Sequence, residues 1–343
     1  MDDALLARLL APEFLTHQIS RHTQLGDARL QSAAPRAIDA PGYLSDLIGV
    51  TLAWSADTGA PMQAVLKVSH ANFGAAELPF YRDVAVSLHC PAIPRFFAGG
   101  TDAPTGRTWL LMEDLSSTHE SPSEEPIPPT FSRCKRLVEA LAQFHVAGSV
   151  WADASHQGPT LNERLLKSDW LQPQAERLFA QVGDALGPGT RALYADFLAA
   201  LPSLIERVGR VPATLVHGDA HVWNAMLPRE GKDVVAKLID WDGWHVGIGA
   251  WDLAYMMAVH WDRDVRQRFE LKLLDCYHHA LVAGGVKDYS RDALHDDYRL
   301  AVLLHLRTPI SRYAMKMSPF VWWPQLARIQ QAVEDLRCHD LIK

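Results

Sequence analysis

An Asp, an Asn and a second Asp are the residues whose types and spacing in this chain could carry out chemistry. Asp219 and Asn224 lie five positions apart in Val-His-Gly-Asp-Ala-His-Val-Trp-Asn, and Asp240 follows sixteen positions later in Leu-Ile-Asp-Trp-Asp. Phosphoryl transfer needs a carboxylate that accepts a hydroxyl proton, and oxygen ligands that hold magnesium on the nucleotide phosphates. The three residues are therefore candidates for that reaction.

Two short apolar runs around a polar turn separate Asn224 from Asp240 and predict a β-hairpin. The runs are 225–227 and 234–239, and the turn is 228–233. Because the two ends of a hairpin meet, we expect Asn224 and Asp240 to come together at its open end.

The same motif allows other interpretations. His217, Asp219 and His221 alternate, so on a strand their side chains would point the same way, as the ligands of a metal-dependent hydrolase could. That interpretation leaves Asn224 and the hairpin unexplained. A purely structural motif, or a catalytically silent ATP-binding module, is the other alternative.

Taken together, the His-Gly-Asp-Ala-His-Val-Trp-Asn and Ile-Asp-Trp-Asp motifs resemble those of the aminoglycoside phosphotransferase and choline kinase group. These proteins are small-molecule kinases with a protein-kinase-like fold. The resemblance extends from about residue 42 to just beyond residue 252. It implies that ATP donates its γ-phosphoryl group to a small-molecule hydroxyl, that Asp219 is the catalytic base, and that Asn224 and Asp240 bind Mg²⁺.

The periodic segments predict an α+β fold with two lobes, in agreement with that resemblance. A small β-rich lobe that binds the nucleotide and includes the hinge is expected over residues 1–115, and a larger, mainly helical, acceptor-binding lobe over residues 116–343. The predicted strands are 48–54, 63–68, 95–98 and 108–113, with a helix near 75–88. The predicted C-terminal helices are 134–145, 190–208, 263–283, 292–306 and 320–336, after a surface loop over 116–129.

Lys67 is a single charge inside an apolar strand, where an ammonium group is costly to bury without a partner. The resemblance implies that Lys67 contacts the α- and β-phosphates and a carboxylate of the following helix. Glu77 is the candidate for that carboxylate and Asp83 the alternative, while Pro79 suggests that the helix begins only there.

The loop expected to cover the phosphates, residues 41–49, has isolated glycines instead of the Gly-x-Gly-x-x-Gly of protein kinases. Ser45 could donate to a phosphate there, although an ordinary turn residue is the simpler interpretation. The strand that ends near Glu113 resembles the hinge, so backbone groups of Glu113 and Leu115 are expected to contact adenine.

The acceptor pocket is expected between the catalytic loop and the C-terminal helices, and its candidate residues are polar or aromatic. They are Asp242, Trp244, Asp262, Arg307, Trp322 and Trp323. Aromatic rings with nearby carboxylates could suit a cationic or sugar-like molecule, so aminoglycoside, choline and other amino-alcohol or sugar acceptors stay open. His217 and Asp252 are expected to support the catalytic loop structurally.

Composition narrows the class of protein. A net charge of −7 argues against a nucleic-acid-binding protein, and no apolar run reaches the length of a membrane span. The four cysteines are scattered and indicate reduced thiols, and the N-terminus does not resemble a signal peptide. We therefore expect a cytoplasmic enzyme that uses a small-molecule acceptor and has no membrane, nucleic-acid or obligate protein partner.

Overall fold

The computed structural model describes residues 2–38, 44–70, 73–122, 129–155, 158–167 and 169–342. Its strands form a five-stranded antiparallel sheet in the order β1-β2-β3-β5-β4, a three-stranded sheet β6-β8-β9, and a two-stranded pair β7-β10. Their bounds are β1 Leu30–Arg36, β2 Ser45–Trp54, β3 Gln63–Ser69, β4 Phe96–Thr101, β5 Thr108–Glu113, β6 His119–Glu120, β7 Thr214–Val216, β8 Ala225–Pro228, β9 Lys237–Leu238 and β10 His245–Gly247.

Along the sequence, the α-helices come before, between and after these strands. Their bounds are α1 Asp3–Leu9, α2 Pro12–Ser20, α3 Glu77–Pro79, α4 Val86–Leu88, α5 Phe131–Ser155, α6 Leu161–Leu166, α7 Leu171–Val182, α8 Pro188–Val208, α9 Ala250–Ala254, α10 Arg263–Ala283, α11 Arg291–Leu304, α12 Arg307–Ala314 and α13 Pro319–Asp335. Two segments widen into π-helix, Phe80–Ala85 and Tyr255–Val259. Such widened turns are frequent at functional sites.

The chain divides into two compact units. The first comprises Met1–Ser121 and Met226–Gly243, and the second comprises Pro122–Ala225 and Trp244–Lys343. The first contains the five-stranded sheet and the second is mainly helical, which confirms the predicted α+β class. The segment that carries Asp240 thus belongs to the first unit, although it lies late in the chain.

In the first unit, α1 and α2 cover one face of the five-stranded sheet. Leu9 and Ile19 from these helices belong to the same buried cluster as Val50 and Leu66 from the sheet. Because side chains alternate along a strand, Leu66 points into this core, and the next residue, Lys67, points to the opposite face.

The sequence predicted the central strands well and the edges less well. β5 has the predicted bounds, and β2 and β3 agree within three residues, whereas β4 runs from Phe96 to Thr101 instead of over 95–98. The helix begins at Glu77, so the prediction that it begins at Pro79 is wrong. Pro79 is the third helical residue, where an N–H has no intrahelical acceptor to lose.

In the second unit, α5 packs against α10 and β7. Gly148 of α5 makes the contact with β7 possible, because a Cβ there would lie only 2.8 Å from the backbone nitrogen of Leu215. β7 pairs with β10, with Val216 opposite His245, and the chain leaves β7 directly into His217. The predicted helix over 263–283 is α10, and the other four predicted helices also exist, α5 being longer than expected.

The predicted surface loop contains the short strand β6, which pairs with β8, with His119 opposite Pro228. All four cysteines are free thiols, as predicted. In the described parts of the chain, no helix has both the length and the apolar character needed to cross a membrane.

Candidate functional site

In the second unit, Asp252 fixes the loop that follows β7. Its carboxylate accepts the N–H groups of His217 at 2.7 Å and Gly218 at 2.8 Å, and it accepts a hydrogen bond from Nε2 of His145 at 3.0 Å. Burial alone would raise the pKa of Asp252, but the hydrogen bond and charge of His145 hold it below its ordinary value. Asp252 thus binds the two N–H groups with which this loop begins, and its supporting role in catalysis stays a prediction.

The loop itself turns through Gly218, whose φ of +81° lies in the region that favours glycine. His217 is fully buried, and its Nδ1 accepts the backbone N–H of Asp219 at 3.3 Å. A buried ring nitrogen that orients the loop is the role predicted for His217.

Four side chains surround the carboxylate of Asp219. Oδ1 accepts a hydrogen bond from the Tyr255 hydroxyl at 2.5 Å and lies 3.4 Å from Nη2 of Arg312. Oδ2 accepts from Nδ2 of Asn224 at 3.0 Å and lies 3.6 Å from Nε2 of His221. The same Asn224 nitrogen also donates to the backbone oxygen of Asp219, at 2.9 Å.

These neighbours determine the charge state of the carboxylate. Burial opposes ionisation, yet the hydrogen bond and charge of His221, with Tyr255 and Arg312, hold the pKa of Asp219 far below its usual range. Burial, and then the charge of Asp219, raise the pKa of Tyr255 well above its ordinary value. The site is therefore an ionised carboxylate held by neutral and cationic donors.

Sequence reasoning missed two of these residues, Tyr255 and Arg312. Tyr255 had a weak signal, because it lies three positions after Asp252 and so on the same side of a helix. Arg312 had none, since it lies 93 positions from Asp219 in the chain.

In the first unit, the predicted pairing of Lys67 with Glu77 is present. Nζ of Lys67 lies 2.7 Å from Oε2 of Glu77 and 3.1 Å from Oδ1 of Asp240. Burial favours the neutral amine, but the charges of Glu77 and Asp240 raise the pKa of Lys67 above its ordinary value. The alternative partner, Asp83, bonds to Arg82 instead.

Asp240 has a φ of +68°, which is uncommon for a residue with a Cβ and typical of constrained functional positions. Its side chain is 48% exposed, although one oxygen contacts Lys67. Burial raises the pKa of the nearby Glu77 carboxyl, with Lys67 acting against this and Asp240 reinforcing it. The cluster around Lys67 thus carries more carboxylates than cations.

Asp242 adds a third carboxylate to that cluster. Oδ2 accepts the N–H of Gly74 at 3.2 Å and Oδ1 accepts the N–H of Glu77 at 3.1 Å, so Asp242 binds the start of α3. Its pKa is raised, first by burial and then by repulsion from Asp240. Asp242 therefore holds the start of α3 in the first unit, and its place in the acceptor pocket stays a prediction.

The other nucleotide-side candidates lie in regular structure. Ser45 begins β2 opposite Ser69, so its interpretation as a turn residue is wrong. The side chain of Glu113 accepts from Lys237 at 3.0 Å, and the carbonyl oxygen of Leu115 accepts the N–H groups of two residues in the next turn. Residues 41–43 of the predicted phosphate loop lie outside the described residues.

The remaining acceptor-pocket candidates occupy separate surroundings in the second unit. Trp244 is buried beside Trp151, and Asp262 is exposed and paired with Arg328. The partly buried guanidinium of Arg307 stacks over Trp170. Trp322 is buried, whereas its neighbour Trp323 is partly exposed.

The donor atoms of the candidate metal ligands suit a hard cation. The amide nitrogen of Asn224 donates to Asp219, which leaves its carbonyl oxygen as the coordinating atom, and Asp240 offers an exposed carboxylate oxygen. Mg²⁺ typically takes one or two carboxylates together with substrate phosphates. Among the described residues, no three His, Cys, Asp or Glu side chains are arranged so that they could hold a metal ion together, as the hydrolase interpretation would require. Asn224 and Asp240 belong to different units, and their meeting stays a prediction.

Three solved structures show the same fold at low sequence identity. A choline/ethanolamine kinase family protein from Mesorhizobium loti is 14% identical, with a TM-score of 0.55 over 90% of this chain and 92% of that one. A microcompartment-associated aminopropanol kinase is 15% identical, with a TM-score of 0.54 over 96% and 95%. A mutant of aminoglycoside 2′-phosphotransferase IIIa in its GDP complex is 15% identical, with a TM-score of 0.52 over 96% and 99%. Among curated proteins, none matches this sequence.

These neighbours confirm the protein-kinase-like fold that the two motifs imply. The model of the phosphotransferase enzyme family (APH) matches residues 51–294, which include Lys67 and both motifs. The match covers more than half of the chain and confirms the resemblance found in the sequence. The chain therefore belongs to the phosphotransferase enzyme family and is a small-molecule kinase.

Proposed function

We propose that this kinase transfers the γ-phosphoryl group of ATP, in the presence of Mg²⁺, to a hydroxyl group of a small molecule, with Asp219 as the base. The arrangement around Asp219 is the observation that carries the proposal. A carboxylate that is ionised, partly exposed and held by Tyr255 and Asn224 can accept a hydrogen bond from an incoming hydroxyl.

The low pKa of Asp219 indicates how the proton moves. So weak a base does not deprotonate an alcohol in the ground state, so Asp219 first orients the hydroxyl through a hydrogen bond. The hydroxyl oxygen then forms its bond to the γ-phosphorus while the bond to the leaving ADP oxygen breaks. Asp219 takes the proton late, as expected for a loose transition state in which bond formation lags behind bond breaking.

The first unit supplies the nucleotide side of the proposal. Lys67, positioned by Glu77 at 2.7 Å, is suited to the α- and β-phosphates. The carbonyl of Leu115 already accepts two N–H groups, and the N–H of Glu113 already donates to Arg95. We therefore assign adenine recognition to the amide of Leu115 and the carbonyl oxygen of Glu113. Ser45 stays a predicted phosphate donor.

Asn224 and Asp240 would hold Mg²⁺ through an amide oxygen and a carboxylate oxygen. The bound ion would neutralise phosphate charge during transfer. The solved neighbour in complex with GDP supports the use of a nucleotide.

A transfer assay read by mass spectrometry tests the proposal. Purified protein, ATP and Mg²⁺ would be mixed with pooled aminoglycosides, amino alcohols, hydroxy acids and sugars. We expect one acceptor to gain a single phosphoryl group with the wild type but not with Asp219→Ala. Asp264→Ala, an exposed position of the second unit, serves as the matched control. Equal transfer by Asp219→Ala would contradict the role of this carboxylate.

A further inference from the structure

Arg312 contacts the proposed base but has no part yet in the proposed reaction. It belongs to α12 and lies 93 positions after Asp219 in the chain. Its Nη2 donates to the hydroxyl oxygen of Tyr255 at 2.6 Å and lies 3.4 Å from Oδ1 of Asp219. Tyr255 donates its own hydroxyl proton to the same Oδ1, at 2.5 Å. A single nitrogen of the guanidinium group therefore makes both contacts.

The rest of this guanidinium group is available to a ligand. Among the residues that the structure describes, Nε and Nη1 of Arg312 have no hydrogen-bond partner, and the side chain is 26% exposed. A guanidinium group presents its N–H donors in a fixed, planar arrangement that matches the oxygens of a phosphoryl group. Because Nη2 lies beside Asp219, the free donors lie within a few ångströms of the same carboxylate.

The carboxylate of Asp219 still has room for the acceptor hydroxyl. Each oxygen accepts one short hydrogen bond, Oδ1 from Tyr255 and Oδ2 from Asn224, and each keeps a further lone pair. A hydroxyl that donates to either oxygen is therefore a near neighbour of Arg312. The proposed reaction attaches the γ-phosphorus to that hydroxyl oxygen, so the phosphoryl oxygens come to the same place.

The charge of Arg312 has opposite effects on the two parts of the reaction. A cation beside a carboxylate stabilises the ionised form, so Arg312 makes Asp219 a weaker base and opposes proton transfer. The phosphoryl group carries its negative charge on the oxygens that are not exchanged, and fixed donors beside those oxygens lower the barrier to transfer. Arg312 accelerates the reaction only if the second effect is the larger one.

We propose that Arg312 is a catalytic residue whose free N–H groups donate hydrogen bonds to the phosphoryl group while it moves to the hydroxyl at Asp219. The hydroxyl oxygen forms its bond to phosphorus, the bond to the leaving ADP oxygen breaks, and the hydroxyl proton goes to Asp219. Arg312 loses no proton. Tyr255 helps to hold the guanidinium group in place. This inference rests on the proposed function and adds a residue that contacts the transferred group.

The first test measures the binding of a phosphoryl mimic without turnover. The unfolding temperature of wild type, Arg312→Gln and Arg268→Gln would be measured with ADP and Mg²⁺, and again after aluminium fluoride is added. Arg268 is an exposed arginine of the same unit and serves as the control. We expect aluminium fluoride to stabilise wild type and Arg268→Gln further, but not Arg312→Gln. An equal gain in Arg312→Gln, or no gain in wild type, would overturn the proposal.

The second test uses steady-state kinetics with the acceptor that the mass-spectrometric assay identifies. Arg312→Gln should lower kcat roughly 100-fold and leave KM for ATP and for the acceptor nearly unchanged. Arg312→Lys keeps the charge but loses the planar set of donors, so its kcat should lie between the two.

Two results of this second test would overturn the proposal. An unchanged or higher kcat in Arg312→Gln would mean that Arg312 only weakens Asp219 as a base. A raised KM for the acceptor with an unchanged kcat would mean that Arg312 binds an anionic part of the acceptor instead of the phosphoryl group.

A double-mutant cycle separates contact with the phosphoryl group from an effect through Tyr255. If Arg312 acted only by holding Tyr255, Arg312→Gln would have no further effect on kcat in the Tyr255→Phe background. We expect a further loss of roughly tenfold or more, because the contact with the phosphoryl group does not need the Tyr255 hydroxyl. No further loss would make Arg312 a positioning residue and overturn the proposal.

The same kinetics distinguish failure of this inference from failure of the proposed function. Wild-type transfer by Asp219→Ala would contradict the proposed base. Loss of transfer in Asp219→Ala, together with a wild-type kcat in Arg312→Gln, would overturn the role of Arg312 alone and leave the proposed function standing.

Discussion

The candidate residues of the two units are opposite in charge. In the first unit one cation, Lys67, lies among the carboxylates of Glu77, Asp240 and Asp242. In the second unit one carboxylate, Asp219, lies among the donors of Arg312 and its other neighbours. Burial, reinforced by the neighbouring carboxylates, raises the pKa values of Glu77 and Asp242 in the first region, whereas the donors of the second region lower that of Asp219.

The two regions therefore differ in the charge that a ligand must bring to stabilise them. An excess of carboxylates is stabilised by a cation, which supports magnesium on the nucleotide side. An excess of donors is stabilised by added negative charge, which the phosphoryl group would bring. Each unit can therefore be tested by removing one charge and asking whether activity or stability responds.

The largest effect is expected from Asp240→Asn in the first unit. Loss of the carboxylate should reduce Mg²⁺-dependent kcat by roughly 10³-fold without unfolding the protein, because its side chain is 48% exposed. Steady-state kinetics across a Mg²⁺ titration, together with thermal unfolding, would measure this. Asp233→Asn, in the exposed turn of the same segment, should be neutral. Undiminished activity in Asp240→Asn would refute the metal role.

Lys67→Met should act on stability as well as activity. It leaves the buried Glu77 without its ion pair, and breaking one side of a buried pair costs about 3 kcal/mol or more of unfolding free energy. Urea unfolding would measure the loss, and the double variant Lys67→Met, Glu77→Leu should recover part of it.

In the second unit, Arg312→Met should lower activity with little loss of stability. Equal losses of unfolding free energy in Lys67→Met and Arg312→Met would contradict this difference between the two units.

Acid should destabilise the second unit through buried neutral histidines. Burial lowers the pKa of His305 from 6.5 to about 3, so the folded state binds fewer protons than the unfolded state. Stability is then fully present above pH 6.5 and is lost as the pH falls, by about 2 kcal/mol at pH 5. Urea unfolding between pH 7 and 5 would show this slope, and His305→Gln should flatten it. An unchanged slope in His305→Gln would contradict the assignment of this pH dependence to His305.

The smallest effect is expected from Tyr255→Phe. It removes one hydrogen bond to Asp219, so kcat should fall about tenfold and the pKa of Asp219 should rise. Steady-state kinetics near pH 7 would measure the fall in kcat. Tyr313→Phe, whose hydroxyl bonds to Gln181 instead, is the matched control. A wild-type kcat in Tyr255→Phe would show that this hydroxyl does not tune the base.

Local patterns predicted those parts of the fold whose signals are local. The apolar run of β5 and the amphipathic run of α10 have the predicted bounds. β1 was missed because its sequence, Leu-Gln-Ser-Ala-Ala-Pro-Arg, has few β-formers, and it is a strand because it pairs with β2. Short helices such as α6 and α12 were missed for a similar reason, since their packing partners are distant in sequence.

In the candidate site, too, the sequence identified only the residues that have a local signal. The motifs located Asp219, Asn224 and Asp240, and a lone charge in an apolar strand located Lys67. Arg312 has no local signature, because its contact with Asp219 exists only in the folded chain. The charge balance of each region is likewise a property of the fold and not of any motif.

The first unit is built from two distant parts of the chain, and this has a consequence for biosynthesis. Lys67 and its partner Asp240 are 173 positions apart. Contacts of such high sequence separation form slowly and cannot form on the ribosome until most of the chain has emerged. The early sheet must therefore wait for the segment Met226–Gly243. A product truncated before that segment would leave the early sheet without Asp240 and Asp242.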